Sequence, residues 1–206
     1  YMGEHVAQRQ QEVAALRAGI DHGLTVIDTA EMYADGGAEE VVGQAIRGLR
    51  DRVVLVSKVY PWHAGKAAMH RACENSLRRL QTDYLDMYLL HWRGDIPLQE
   101  TVEAMEKLVA EGKIRRWGVS NLDTEDMQAL WRTADGEHCA TNQVLYHLAS
   151  RGIEYDLLPW CQQHTLPVMA YCPLAQAGRL RDGLFQHSDI INMANARGIT
   201  VAQLLL

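Results

Sequence analysis

Short apolar runs alternate with longer amphipathic stretches along this chain. The runs are TVID at 25–28, VVLVSK at 53–58, YLDMYLLH at 84–91, IRRWGVSN at 114–121, ATNQV at 140–144 and PVMAYCP at 167–173. They are rich in Val, Ile, Leu and Tyr, the composition of strands buried on both faces. Between them, apolar positions recur every third or fourth residue. Val13, Leu16 and Ile20 share one helical face, and Gly23 follows as a stop. Met69, Ala72, Cys73, Ser76, Leu77 and Leu80 form a second such face. Val102, Met105, Leu108 and Val109 form a third, with Gly112 just past its end. Asp123 is placed as an N-cap, and Leu122 and Met127 as the hydrophobic staple around it. Leu157, Trp160, Cys161 and His164 predict a further helix, in which Pro159 must sit near the first turn or cause a kink.

Six strands therefore alternate with helices at a spacing of about 25–30 residues, the pattern of parallel strands joined by crossover helices. An open doubly wound sheet and a β/α barrel both fit that pattern. A doubly wound dinucleotide domain carries G-x-G-x-x-G after an early strand. Here Gly36-Gly37 lies in an acidic loop without that spacing. The expected fold is α/β, a (β/α)8 TIM barrel forming one domain over 1–206. A barrel needs eight strands and typically about 250 residues, and six strands in 206 residues are too few. A helical pattern begins soon after Tyr1, and VAQLLL stops in mid-helix. The expectation is a piece of a longer protein, truncated at both ends, that lacks the first and last barrel strands and is weakly stable and inactive alone.

Composition narrows the class. With 48% hydrophobic and 22% charged residues, 16 Gly and 5 Pro, the chain is an ordinary globular one, which excludes disordered, collagenous and disulfide-scaffold proteins. No apolar stretch approaches the roughly 20 residues of a membrane span. The net charge of −6 and the lack of a dense Lys/Arg run argue against nucleic-acid or membrane-surface partners. Cys73, Cys139, Cys161 and Cys172 are scattered, and no signal peptide is visible, so a reducing, cytoplasmic setting is expected. No His or Cys pair has metal-ligand spacing, and no metal is expected. Met69, Met105 and Met127 read as core, and the charged stretch from Arg47 to Arg52 reads as a solvated turn.

The strand ends carry the candidate chemistry. In a β/α barrel the carboxyl ends of the strands face one mouth. Here those ends are Asp28, Lys58, His91, Ser120-Asn121, Asn142-Gln143 and Tyr171, and Tyr33 lies five residues beyond Asp28. Taken singly, each has an ordinary reading: a cap, a solvated amine, a hydrogen-bonded structural imidazole, a loop aromatic. Their recurrence at successive strand ends points to a functional mouth. A free tyrosine has a pKa of about 10, and a neighbouring ammonium favours its phenolate. A carboxylate keeps that ammonium charged and oriented, and an imidazole can fix a substrate oxygen. This set suits protonation of the alkoxide that forms when hydride from a nicotinamide cofactor adds to a carbonyl. Nearby Asn and Gln side chains suit the ring carboxamide, and Tyr171 suits its face.

At these residues the sequence resembles the aldo-keto reductase family. GLTVIDTAEMYADGGAEEVVGQAI at 23–46 is similar to the family's first signature, and MEKLVAEGKIRRWGVSN at 105–121 to its second. VVLVSK, YLLH, TNQV and MAYCPLAQAGRL match the intervening blocks in order. The resemblance covers essentially the whole chain. It implies a catalytic tetrad of Asp28, Tyr33, Lys58 and His91, with Tyr33 as the proton donor in reduction. It implies that Ser120, Asn121 and Gln143 bind the nicotinamide amide and that Tyr171 stacks on the ring. Cys172, Leu174 and Arg179 would line the pyrophosphate path, and Trp62 and Trp92 would flank the substrate pocket. Cys172 stands where the family usually has Ser, and donates a poorer hydrogen bond. The implied cofactor is NADP(H), with NAD(H) left open. The implied substrates are small aldehydes or ketones, 2-oxoaldehydes such as methylglyoxal among them, and the implied state is a monomer. The alternative is a cofactor-binding regulatory subunit of the same fold, since some family members regulate ion channels.

Overall fold

The structure is a computed structural model and describes residues 2–176 and 178–206. Two compact units form, Tyr1–Thr141 and Asn142–Leu206. The division falls at the start of a strand, with no Gly- or Pro-rich linker to mark it. Among the described residues, no helix is long and apolar enough to cross a membrane.

The first unit runs α1 (Arg9–Asp21), β1 (Val26–Asp28), α2 (Gly37–Ile46), β2 (Val54–Val59), α3 (Lys66–Leu80), β3 (Leu85–Leu90), α4 (Leu98–Ala110), β4 (Ile114–Ser120) and α5 (Thr124–Trp131). Its four strands pair in sequence order, and every pair is parallel. The second unit contains β5 (Asn142–Leu145), α6 (Leu157–Gln163), β6 (Val168–Tyr171), α7 (Arg179–Gln186), α8 (Ser188–Arg197) and α9 (Val201–Leu205), and β5 and β6 pair in parallel. All six apolar runs become strands. Asp123 caps α5 by accepting from the Asp126 N–H, with Leu122 and Met127 buried on either side of it. Pro159 falls in the first turn of α6, so no kink arises. Two features add to the sequence reading. The Gly36-Gly37 loop turns directly into α2. The stretch from Arg179 to Arg197, for which the sequence reading gives no element, forms two helices.

Strand register decides which side chains share a face. Side chains alternate along a strand, and Cα partners across a ladder point the same way. Asp28 lies opposite Val56, Lys58 opposite Leu89, and Leu89 opposite Gly118. The ladder continues past β3, where the His91 N–H donates to the Val59 carbonyl at 3.0 Å. By this parity Asp28, Lys58, His91 and Ser120 project from one face. Ser57, Tyr88 and Trp117 project from the other, which the helices cover: Ser57 bonds Glu39 of α2, and the Trp117 indole donates to Glu106 of α4 at 2.6 Å. Gly118 is required on the first face, because a Cβ there would lie 2.6 Å from the Thr141 carbonyl oxygen and 2.9 Å from Leu89 Cδ2.

The far end of the sheet corrects one reading. Arg50 does not lie in a solvated turn. Its guanidinium bonds Asp86 and the Tyr84 carbonyl and sits 3.8 Å over the Tyr84 ring, whose centroid lies 4.4 Å from Arg115. Asp86 also accepts from Arg115 at 2.9 Å and from the Leu55 N–H at 2.9 Å. One half-buried carboxylate thus satisfies two arginines and a strand N–H. Asp86→Ala is expected to cost about 3 kcal/mol, because it strands a desolvated guanidinium and a buried N–H. Urea unfolding of the variant checks this, and a loss below about 0.5 kcal/mol, the range of ordinary surface changes, would contradict it.

Candidate active site

Lys58 is the centre of the site. Its side chain is 0% exposed and donates to Asp28 Oδ2 at 2.6 Å, to the Thr29 carbonyl at 2.9 Å and to the Tyr33 phenol oxygen at 3.3 Å. An ammonium has three protons and no acceptor, so these bonds occupy its full capacity and fix its direction. The Tyr33 oxygen is the acceptor in its bond, so the phenol's own proton is not used there. Burial pushes the Lys58 pKa down from its ordinary value, and the Asp28 carboxylate opposes that. Asp28 is what keeps a water-free amine charged.

Tyr33 reaches Lys58 through an unusual turn. Ala34 and Asp35 have φ of 53° and 51°, and Gly36 follows at 88°. Left-handed backbone costs a non-glycine residue roughly 1–2 kcal/mol. Two such residues persist beside Tyr33 because the surroundings hold them. The Tyr33 ring meets the His91 ring edge-on, with centroids 5.8 Å apart.

His91 closes the group at the end of β3. It is 7% exposed, and its Nδ1 is buried with no hydrogen-bond partner among the described residues. Burial first, and the Lys58 charge second, push its pKa down to about 4. The imidazole is therefore neutral at pH 7 and offers one N–H and one lone pair rather than a charge. The unfolded chain takes up this proton near pH 6.5 and the folded one only near 4, so the stability His91 contributes is complete above about pH 6.5. It is lost as pH falls from 6.5 to 4, to a total of about 3 kcal/mol. Unfolding of the wild type and His91→Gln at pH 7.5 and 4.5 should show the wild type losing more. An imidazole titrating near 6.5 by NMR would contradict the expectation.

Aromatic rings rim this group. Tyr60 stacks on Trp62 at 4.3 Å, and Trp92 lies edge-on to both, 6.0 Å from Tyr60 and 5.8 Å from Trp62. Trp92 also lies 5.0 Å from His91. Buried Glu31 ties the loops together, accepting from the Tyr60 N–H at 2.7 Å, with His63 Nδ1 3.1 Å away. Tyr60 and Glu31 escaped the sequence reading. The signal for both was local: Glu31 lies between Asp28 and Tyr33, and Tyr60 is two residues from Lys58 and from Trp62.

Ser120 and Asn121 end β4 beside this group. Asn121 adopts a left-handed φ of 60°, and its amide donates to the His91 carbonyl at 3.0 Å and to the Ser120 hydroxyl at 3.2 Å. The first unit thus brings together Asp28, Tyr33, Lys58, His91, Trp62, Trp92, Ser120 and Asn121. The remaining predicted residues lie in the second unit. Gln143 is opposite Met169 and Leu145 opposite Tyr171, so Gln143 and Tyr171 share one face of that strand pair. Cys172 follows with a φ of 51°, Leu174 is half-buried, and Arg179 opens α7 with its side chain exposed.

A buried ammonium shared between a carboxylate and a phenol, with a neutral imidazole alongside, at the ends of parallel strands, is an arrangement that can pass a proton to an oxygen placed beside the phenol. The chain belongs to the aldo/keto reductase family, which residues 2–202 match. It is 69% identical, over its whole length and 72% of the relative's, to the methylglyoxal reductase YeaE of Escherichia coli. It is 34% identical to the glyoxal reductase of Bacillus subtilis, over 98% of this chain and 70% of the relative. A solved aldo/keto reductase from Klebsiella pneumoniae, in complex with NADP and acetate, is 99% identical with a TM-score of 0.96, over 100% of this chain and 72% of that one.

Proposed function

We propose that the protein reduces small aldehydes and ketones with NADPH, and that 2-oxoaldehydes such as methylglyoxal are among its substrates. The observation that carries this reading is the Lys58 ammonium held between Asp28 at 2.6 Å and the Tyr33 oxygen at 3.3 Å. The reductase names of the Escherichia coli and Bacillus subtilis relatives, and the NADP of the Klebsiella pneumoniae structure, support the substrate class and the cofactor.

In this reading Tyr33 donates its proton to the carbonyl oxygen as that oxygen gains negative charge. Lys58 already donates to the phenol oxygen and stabilises the phenolate left behind. Asp28 keeps Lys58 protonated. Neutral His91 directs an N–H at the carbonyl oxygen and orients it. Trp62 and Trp92, with Tyr60 packed against both, form an apolar wall suited to a small substrate.

The residues present fit a nicotinamide cofactor, which when bound supplies the hydride. Ser120 and Asn121 in the first unit, and Gln143 in the second, each carry groups of the kind that bond a ring carboxamide. Tyr171, on the same face as Gln143, offers a flat surface for the ring. Cys172, Leu174 and Arg179 would line the pyrophosphate. The finer architecture in this reading is a (β/α)8 barrel in which these strands are consecutive members. Sequential parallel order within each unit supports it. The test is NADPH consumption by the whole protein with methylglyoxal and other small aldehydes. Turnover that favours NADPH over NADH is the expected result, and folded protein that consumes neither would overturn the reading.

A further inference from the structure

On the helix side of the sheet, behind the catalytic group, lies a second buried ionic cluster. Glu39 of α2 is 0% exposed and accepts from the Ser57 hydroxyl at 2.6 Å and from Arg79 Nε of α3 at 2.6 Å. Arg79 also donates to the Ser76 hydroxyl at 3.3 Å. Ser57 immediately precedes Lys58 in β2. At its other side the Arg79 stem lies directly under Gly36, where a Cβ would sit 2.6 Å from Arg79 Cδ and 2.7 Å from Nε. Gly36 ends the left-handed turn that follows Tyr33. Contacts therefore run in a closed ring: from the Tyr33 turn to Arg79, to Glu39, to Ser57, through one peptide bond to Lys58, and from Lys58 back to the Tyr33 oxygen.

We propose that Arg79 is a positioning residue. Wedged beneath Gly36 and pinned by Glu39, it holds the strained Tyr33 turn against β2 and so keeps the phenol within reach of Lys58. The wedge explains how Ala34 and Asp35 keep left-handed backbone in the folded protein. It also explains why position 36 has no side chain, since the Arg79 stem fills that space. Glu39 acts on the site from behind as well, because its negative charge favours the charged form of Lys58. The proposal rests on the reading of Tyr33 as proton donor.

The signature of such a role is a split between kcat and KM. A phenol displaced from Lys58 loses proton transfer but leaves the substrate wall and His91 in place. The double variant Arg79→Met/Glu39→Gln removes both charges together and avoids an unpaired buried carboxylate. Its kcat should fall roughly 10- to 100-fold, the effect of a small misplacement of a reacting group, with KM unchanged. Arg79→Lys keeps the stem and the charge, and should restore a rate near wild type. Folding is checked by circular dichroism. If the double variant does not fold, Gly36→Ala reads the same device with all charges kept, by forcing a methyl onto the wedge at a φ of 88°. It too should lose kcat at constant KM. Wild-type kcat in a folded double variant, or in Gly36→Ala, would overturn the proposal. Tyr33→Phe run in parallel separates the two failures: if it also keeps wild-type turnover, the reading of the site is at fault, and otherwise only the role of Arg79 is.

Discussion

Tyr33→Phe is expected to lower kcat for aldehyde reduction roughly 10²- to 10⁴-fold, the usual contribution of a positioned general acid, while leaving NADPH affinity unchanged. The argument is one of atoms. The substitution removes a single oxygen and leaves the ring in its edge contact with His91, so the neighbours keep their packing. The oxygen it removes accepts from Lys58 at 3.3 Å and carries a proton that the Lys58 bond does not use. Lys58 cannot replace it easily. Its protons are committed to Asp28, the Thr29 carbonyl and the phenol, and the Asp28 pair resists giving one up. Steady-state kinetics and a cofactor titration on the purified variant check the two halves of the expectation. A rate within threefold of wild type would remove Tyr33 from the mechanism.

Lys58→Met comes next in size. Methionine fills the buried channel with a stem of similar length and no charge. What disappears is the donor aimed at the phenol oxygen. Loss of one such donor to a developing negative charge costs roughly 10²- to 10³-fold in kcat. Stability should suffer less than rate, because the partner left behind, Asp28, has a side chain that is 33% exposed and can turn to water. Thermal unfolding beside turnover separates the two effects. A folded variant with wild-type kcat would show that the ammonium is structural only.

Much of this site was legible in the sequence, for a physical reason. Parallel strands in sequential order bring their carboxyl ends to one edge, and alternation sets the face. Asp28, Lys58, His91 and Ser120 could be placed together from apolar runs that each end in a polar residue. What stayed illegible were partnerships between side chains far apart in sequence and on the opposite face. Nothing in VVLVSK marks Ser57 as the anchor of Glu39, and nothing in SLRRL separates Arg79, wedged under Gly36, from Arg78, which is exposed. The run from Arg47 to Arg52 looked solvated because composition does not reveal that Asp86 lies waiting for Arg50. Gly36-Gly37 read as a loop because both residues permit one; in the structure a left-handed Gly36 is the N-cap of α2. The two-unit division was invisible too, since it occurs at the edge of a strand and not in a linker.

The central claim is that Lys58 acts through the Tyr33 oxygen, so the most direct measurement is a double-mutant cycle on kcat with Tyr33→Phe, Lys58→Met and the pair. Groups that act as one unit are non-additive. The account predicts that the double variant is no slower than the slower single variant. A double variant slowed by the product of the two single factors would mean that the residues contribute independently, and would contradict it.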